Sequence, residues 1–171
     1  LGEVLPYAPL REAIGQLGSG LDHLDPARKI EIQTGMFEVL ESEEAVLGSL
    51  SAGLYEGPLS AARPAVTGDD DPVLWPVGPE QVAGAISRLL AVIGAVVPVA
   101  LILEDLHWVD DGTRDVLARL VDTGLPHGAI FMGTRRPGGL PARPGERVLA
   151  LEPLPPADNE AMLVEMTGGA D

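Results

Sequence analysis

Pro98-Val99-Ala100-Leu101-Ile102-Leu103 runs without polar alternation into Glu104-Asp105-Leu106-His107-Trp108-Val109-Asp110, and the fold of the chain turns on this stretch. A short apolar run with no alternation suits a central parallel strand covered by helices on both faces. Two adjacent carboxylates, Glu104 and Asp105, close it. In an open parallel sheet the carboxyl ends of the strands face the ligand crevice, so an acid there looks at substrate rather than core. In phosphoryl-transfer proteins one such acid holds magnesium against the nucleotide, while a neighbour orients the attacking water. Taken alone, the pattern is explained equally well by a strand running out into a polar loop.

Outward from the strand, helix and strand alternate. Upstream, Val82, Ile86, Leu89, Leu90 and Ile93 form one stripe over 79–94, with Pro79 at the first helical position and Glu80 in the first turn. Downstream, Asp110 or Asp111 caps a helix through Thr123 that turns Val116, Leu117, Leu120 and Val121 inward, with Gly124 past its end. Ala129 to Gly133 is a second short strand and Arg147 to Leu151 a third candidate. A final helix follows from Ala157 to Met166, closed by Gly168-Gly169. This alternation predicts right-handed βαβ connections and an α/β fold with a parallel sheet flanked by helices.

The N-terminal part is helical by pattern. Leu10, Ile14, Leu17 and Leu21 share one face. Asp25-Pro26 caps a second helix with Ile30, Phe37 and Leu40 as apolar positions, interrupted at Gly35, and a third helix spans 43–54. Residues 57–78, proline-rich and carrying Asp69, Asp70 and Asp71, are a loop. That acidic run lacks the alternating oxygen ligands and closing Glu of a calcium loop.

The composition limits the function. In 171 residues, 11 basic side chains face 26 acidic ones, for a net charge of -15. Such a surface repels phosphate backbones and argues against direct nucleic acid binding by this segment. There is no cysteine, hence no disulfide framework and no thiolate metal site, which fits a cytoplasmic location. The longest apolar run, 91–103, is broken by Gly94 and Pro98 and falls short of the ~20 residues of a membrane span.

Leu101 to Asp110, with its Glu-Asp-Leu-His-Trp-x-Asp core, resembles the Walker B region of AAA and STAND P-loop ATPases, including those of large LuxR-type bacterial regulators. Three further segments resemble the same family in the same order: Leu5-Pro6-Tyr7-Ala8-Pro9-Leu10-Arg11, Phe131-Met132-Gly133-Thr134-Arg135-Arg136-Pro137, and Leu151-Glu152-Pro153-Leu154. The resemblance implies a partial AAA-like core over 1–152 and the start of a helical lid over 153–171. It implies ATP and Mg2+ as cofactors, with Glu104 and Asp105 at the metal. Asp105 would position water, and Thr134 and Arg136, or Arg135 with the register one residue over, would look toward the terminal phosphate. Glu104 departs from the commoner Asp of the family. The implied partners are ATP, other domains of a parent regulator and, in a nucleotide-dependent way, further copies of the chain.

Outside that resemblance, His107 reads as a hydrogen-bonded structural histidine, Trp108 as packing for the loop, and Asp110 as a helix cap. The Arg pair reads as a solvated strand end. A phosphate-binding loop requires Gly-x-x-x-x-Gly-Lys-Ser/Thr. The one lysine, Lys29, stands in Arg28-Lys29-Ile30-Glu31 and cannot serve. The expectation is a fragment of an ATP-hydrolysing switch domain, lacking the first two strands and the phosphate loop and inactive alone. The alternative is a degenerate, non-catalytic ATPase-fold scaffold.

Overall fold

The computed structural model describes residues 6–50, 77–137 and 146–168. The chain divides into two compact units, 1–139 and 140–171.

The first unit is α/β: α1 (Ala8–Leu21), α2 (Pro26–Ser42), α3 (Glu44–Leu50), α4 (Pro79–Val96), β1 (Val99–Leu103), α5 (Asp111–Thr123) and β2 (Ala129–Gly133). β1 and β2 pair in parallel, Val99 opposite Ala129 through Leu103 opposite Gly133, with α5 as the crossover. α2, α4 and α5 start where the sequence provides a cap. The Asp25 carboxylate accepts the Arg28 amide at 3.2 Å and Pro26 opens α2. At α4, Pro79 opens the helix and the Gln81 side chain reaches back to the Gly78 amide at 3.2 Å. α5 ends on Gly124 at φ 81°, a left-handed conformation that a Cβ disfavours.

The core is centred on α4. Its Val82, Ala83, Ala85, Ile86, Leu89, Leu90 and Ile93 are buried with Leu10 and Ile14 of α1, Leu47 of α3, Leu101 and Leu103 of β1, and Val116, Leu117 and Leu120 of α5. α4 is also long and apolar enough to cross a membrane by length and composition. Here that apolar stripe is the centre of a packed core.

Several sequence expectations change, three of them in the helices and strands of the first unit. The buried face of α2 is Ile32, Met36, Val39 and Leu40, whereas Ile30 and Phe37 are exposed. Gly35 does not interrupt α2; a Cβ there would sit 2.7 Å from Val92 Cγ1, so the missing side chain lets α2 approach α4. β1 is not covered on both faces. Leu101 and Leu103 are buried, but Ala100 and Ile102 are exposed, as are their register partners Ile130 and Met132 on β2. An unalternating apolar run records what a strand tolerates on each face, and among the described residues helices cover one face only.

In the second unit, Arg147 to Leu151 forms no strand, since a five-residue run is held extended only by a paired ladder. It precedes α6 (Pro156–Met166), whose Met162, Leu163, Val164 and Met166 are exposed. The expected third helix ends at Leu50 in the described residues; its 51–54 portion, the acidic loop over 57–76 and the segment Leu1 to Leu5 lie outside them.

Candidate functional site

The carboxyl ends of β1 and β2 lie side by side, and the chain leaves them through a knot of backbone hydrogen bonds. The Thr134 amide donates to the Leu103 carbonyl at 3.1 Å, and the Leu106 amide donates to the Thr134 carbonyl at 2.8 Å. Between these two bonds, the Asp105 amide donates to the Thr134 hydroxyl at 2.9 Å. Asp105 is left-handed, at φ 53°. That conformation is rare for a residue with a Cβ and best tolerated by Asp and Asn. It turns the chain sharply off the strand so that consecutive amides reach Thr134.

Glu104, Asp105 and Thr134 are therefore brought to one edge, all three exposed. The Thr134 hydroxyl accepts from Asp105 and keeps its own proton for another acceptor. Arg135, half-buried, and Arg136, exposed, continue from Thr134 beyond the same edge. Among the described residues no group of three or more His, Cys, Asp or Glu is placed to hold a metal ion. Two carboxylates suit Mg2+, which keeps most of its shell as water and phosphate oxygen and takes one or two protein carboxylates.

Leu106 and Val109 anchor the following loop in the core, 8% and 7% exposed. A Cβ on Gly133 would collide with the Leu106 side chain, so the glycine at the end of β2 makes room for the turn. Trp108 does not pack that loop; it is 75% exposed, with its ring 5.1 Å from that of His107. His107 is not a hydrogen-bonded structural histidine either. Its ring nitrogens are buried with no hydrogen-bond partner among the described residues, and Nδ1 stands 3.9 Å from Asp105 Oδ1.

Asp110 does cap α5, and does more than the sequence suggested. Its Oδ1 accepts the Thr113 amide at 2.9 Å and its Oδ2 the hydroxyl of fully buried Thr113 at 2.7 Å. The Tyr7 amide also reaches this carboxylate. Tyr7, left-handed at φ 60°, closes over Gly112 and donates its phenol to the Val77 carbonyl at 3.0 Å. Burial, with the charges of Asp110 and Asp115, pushes the phenol up from its ordinary value. The sequence offered Asp110 as a cap before an apolar-striped helix; nothing in it tied Tyr7 to that carboxylate.

Burial works to raise the Asp110 carboxyl, but hydrogen bonds from Thr113, Tyr7 and its own amide outweigh it and hold the group below the usual carboxylate range. Such a group contributes stability that is complete above its unfolded value, about 3.9, and is lost as pH falls through the folded value. Asp110→Ala is expected to cost about 1–2 kcal/mol near neutral pH. Urea midpoints of wild type and variant should converge below about pH 4. A gap unchanged across that range counts against the carboxylate as the stabilising group.

Comparison with protein-family models, with curated proteins and with solved structures finds no match to this chain.

Proposed function

We propose that the first unit is the magnesium- and γ-phosphate-facing part of an AAA/STAND-type P-loop ATPase domain, serving as the nucleotide-dependent switch of a multidomain signalling or transcriptional regulator. The observation that carries this reading is the junction of Asp105 and Thr134. The second strand-end acid and the polar residue after the neighbouring strand are joined by a 2.9 Å hydrogen bond at the carboxyl edge of a parallel pair. That is the edge at which α/β sheets hold phosphorylated ligands.

In this reading Glu104 binds Mg2+, and Asp105 orients water for attack on the terminal phosphate. Thr134 fixes the Asp105 backbone and directs its own O–H toward a phosphate oxygen or that water. Arg136, with Arg135 beside it, balances charge on the phosphate. Bound Mg2+ supplies charge neutralisation on the phosphate oxygens. The reading requires a phosphate-binding loop, and the 171 residues contain no Gly-x-x-x-x-Gly-Lys-Ser/Thr motif. The sheet face bearing Ile102, Ile130 and Met132, about half exposed in each case, is where further parts of such a domain would pack.

Two measurements test the reading. Without a Gly-Lys-Ser/Thr loop, millimolar MgATP should stabilise the 171-residue chain by no more than about 0.4 kcal/mol, a Tm rise of at most about 2 °C. Joined to an upstream segment containing that loop, the protein should turn over ATP in a magnesium-dependent way. Micromolar binding by the 171 residues alone, or no nucleotide binding by the extended protein, overturns the proposal.

A further inference from the structure

We infer that His107 is a positioning residue that sets the direction of the Asp105 carboxylate. The inference deepens the proposed ATPase reading, since it assigns to a second side chain the orientation of the group that aims water. Its geometric part stands apart from nucleotide chemistry.

Two incomplete groups face each other here. The His107 side chain is 15% exposed, and both ring nitrogens are shielded from solvent without a hydrogen-bond partner among the described residues. A neutral imidazole always carries one N–H donor and one bare acceptor. Leaving the donor unpaired inside the protein costs the desolvation of that group with nothing in return. Asp105 has the opposite deficiency. Its backbone is fixed by the left-handed turn and by Thr134, yet its carboxylate is 70% exposed and accepts no hydrogen bond among the described residues. An acid so held samples several side-chain rotamers, and orienting a water molecule requires one.

Asp105 Oδ1 lies 3.9 Å from His107 Nδ1, and Asp105 is the acidic side chain within 4 Å of that ring among the described residues. Closing about 1 Å by side-chain rotation reaches the roughly 2.8 Å of a hydrogen bond to a carboxylate. The imidazole cannot move far to meet it, because Leu106 and Val109 bury the loop on either side and Trp108 stacks obliquely on the ring at 43°. The carboxylate therefore moves, and Nδ1–H selects its rotamer.

The 171-residue chain gives one test. The side-chain 15N spectrum should show His107 as the Nδ1–H tautomer, shifting toward the commoner Nε2–H form in Asp105→Ala. A tautomer unaffected by Asp105→Ala overturns the inference. The extended ATPase gives the other. His107→Leu preserves the packing volume and should lower kcat about 10–100-fold, the range for groups that orient a metal-site ligand, with KM for ATP within about twofold. His107→Asn places an N–H where Nδ1 stood and should recover most of that loss. Full kcat in His107→Leu, or equal losses in both variants, overturns it. Should the extended protein lack turnover altogether, the ATPase reading fails and the tautomer experiment still decides the His107–Asp105 contact.

Discussion

Gly128→Val is expected to unfold the first unit or to lower its stability by about 3–5 kcal/mol, a large share of the 5–15 kcal/mol typical of a domain. Gly128 sits at φ 82° in the turn that enters β2. A Cβ there would stand 2.8 Å from the Gly94 carbonyl carbon and closer still to its oxygen. The reciprocal contact is as tight, with a Cβ on Gly94 2.6 Å from the His127 carbonyl oxygen. Two backbones meet here, and neither can rotate aside as a side chain could.

The consequence reaches the candidate site through the sheet. The Val99 amide donates to the Gly128 carbonyl at 2.9 Å, the first bond of the β1–β2 ladder whose far end joins Asp105 to Thr134. Gly94→Ala, on a helical backbone, meets the same wall without the left-handed penalty and should cost about 1–3 kcal/mol. Gly20→Ala is the control: nothing lies within 4 Å of its added Cβ, and in α1 it should gain about 0.5–1 kcal/mol. Urea midpoints for the three variants check the order. A Gly128→Val protein as stable as wild type shows that the contact between α4 and the β2 turn is not a constraint on the fold.

On the proposed ATPase reading, Asp105→Asn in the protein joined to a phosphate-binding loop should reduce ATP turnover roughly 10²–10⁴-fold, the range for a positioned acid–base group. Asparagine is chosen because it also tolerates the left-handed backbone and keeps the amide that binds Thr134, so folding and ATP affinity should be nearly unchanged. Loss of kcat with KM for ATP held constant is the expected signature of a group used in the transition state. Glu104→Gln should instead show its effect in the Mg2+ concentration required. Unchanged turnover in Asp105→Asn removes that residue from its assigned role, and an effect confined to KM would make it a binding group.

Local pattern was sufficient for much of the molecule. Caps at Asp25 and Asp110 and the helix-opening Pro79 placed helix starts, because such a signal is settled within a few residues. Both strands were legible as short apolar runs ended by polar residues, and their parallel pairing followed from the helix between them. The pair Glu104 and Asp105 at a strand end was likewise visible, since it needs only the strand and its direction.

What pattern could not determine was anything that depends on which element sits opposite. The inward face of α2 was misjudged because Ile30 and Ile32 are equally apolar; contact with α4 buries Ile32 and leaves Ile30 63% exposed. The same limit hid the exposed sheet face at Ile102 and the failure of Arg147 to Leu151 to become a strand, since pairing and covering require a partner in space. Sequence by itself determined where the chain turns and which residues end its strands, because those choices are made by backbone sterics and caps within one turn. Tertiary structure alone decided that Asp105 meets Thr134 across 29 residues and that Tyr7 closes on Asp110, because each is a contact between segments the chain brings together only on folding; the burial of the His107 ring nitrogens was likewise decided by packing, although the Asp105 carboxylate beside them is only two residues away in the chain.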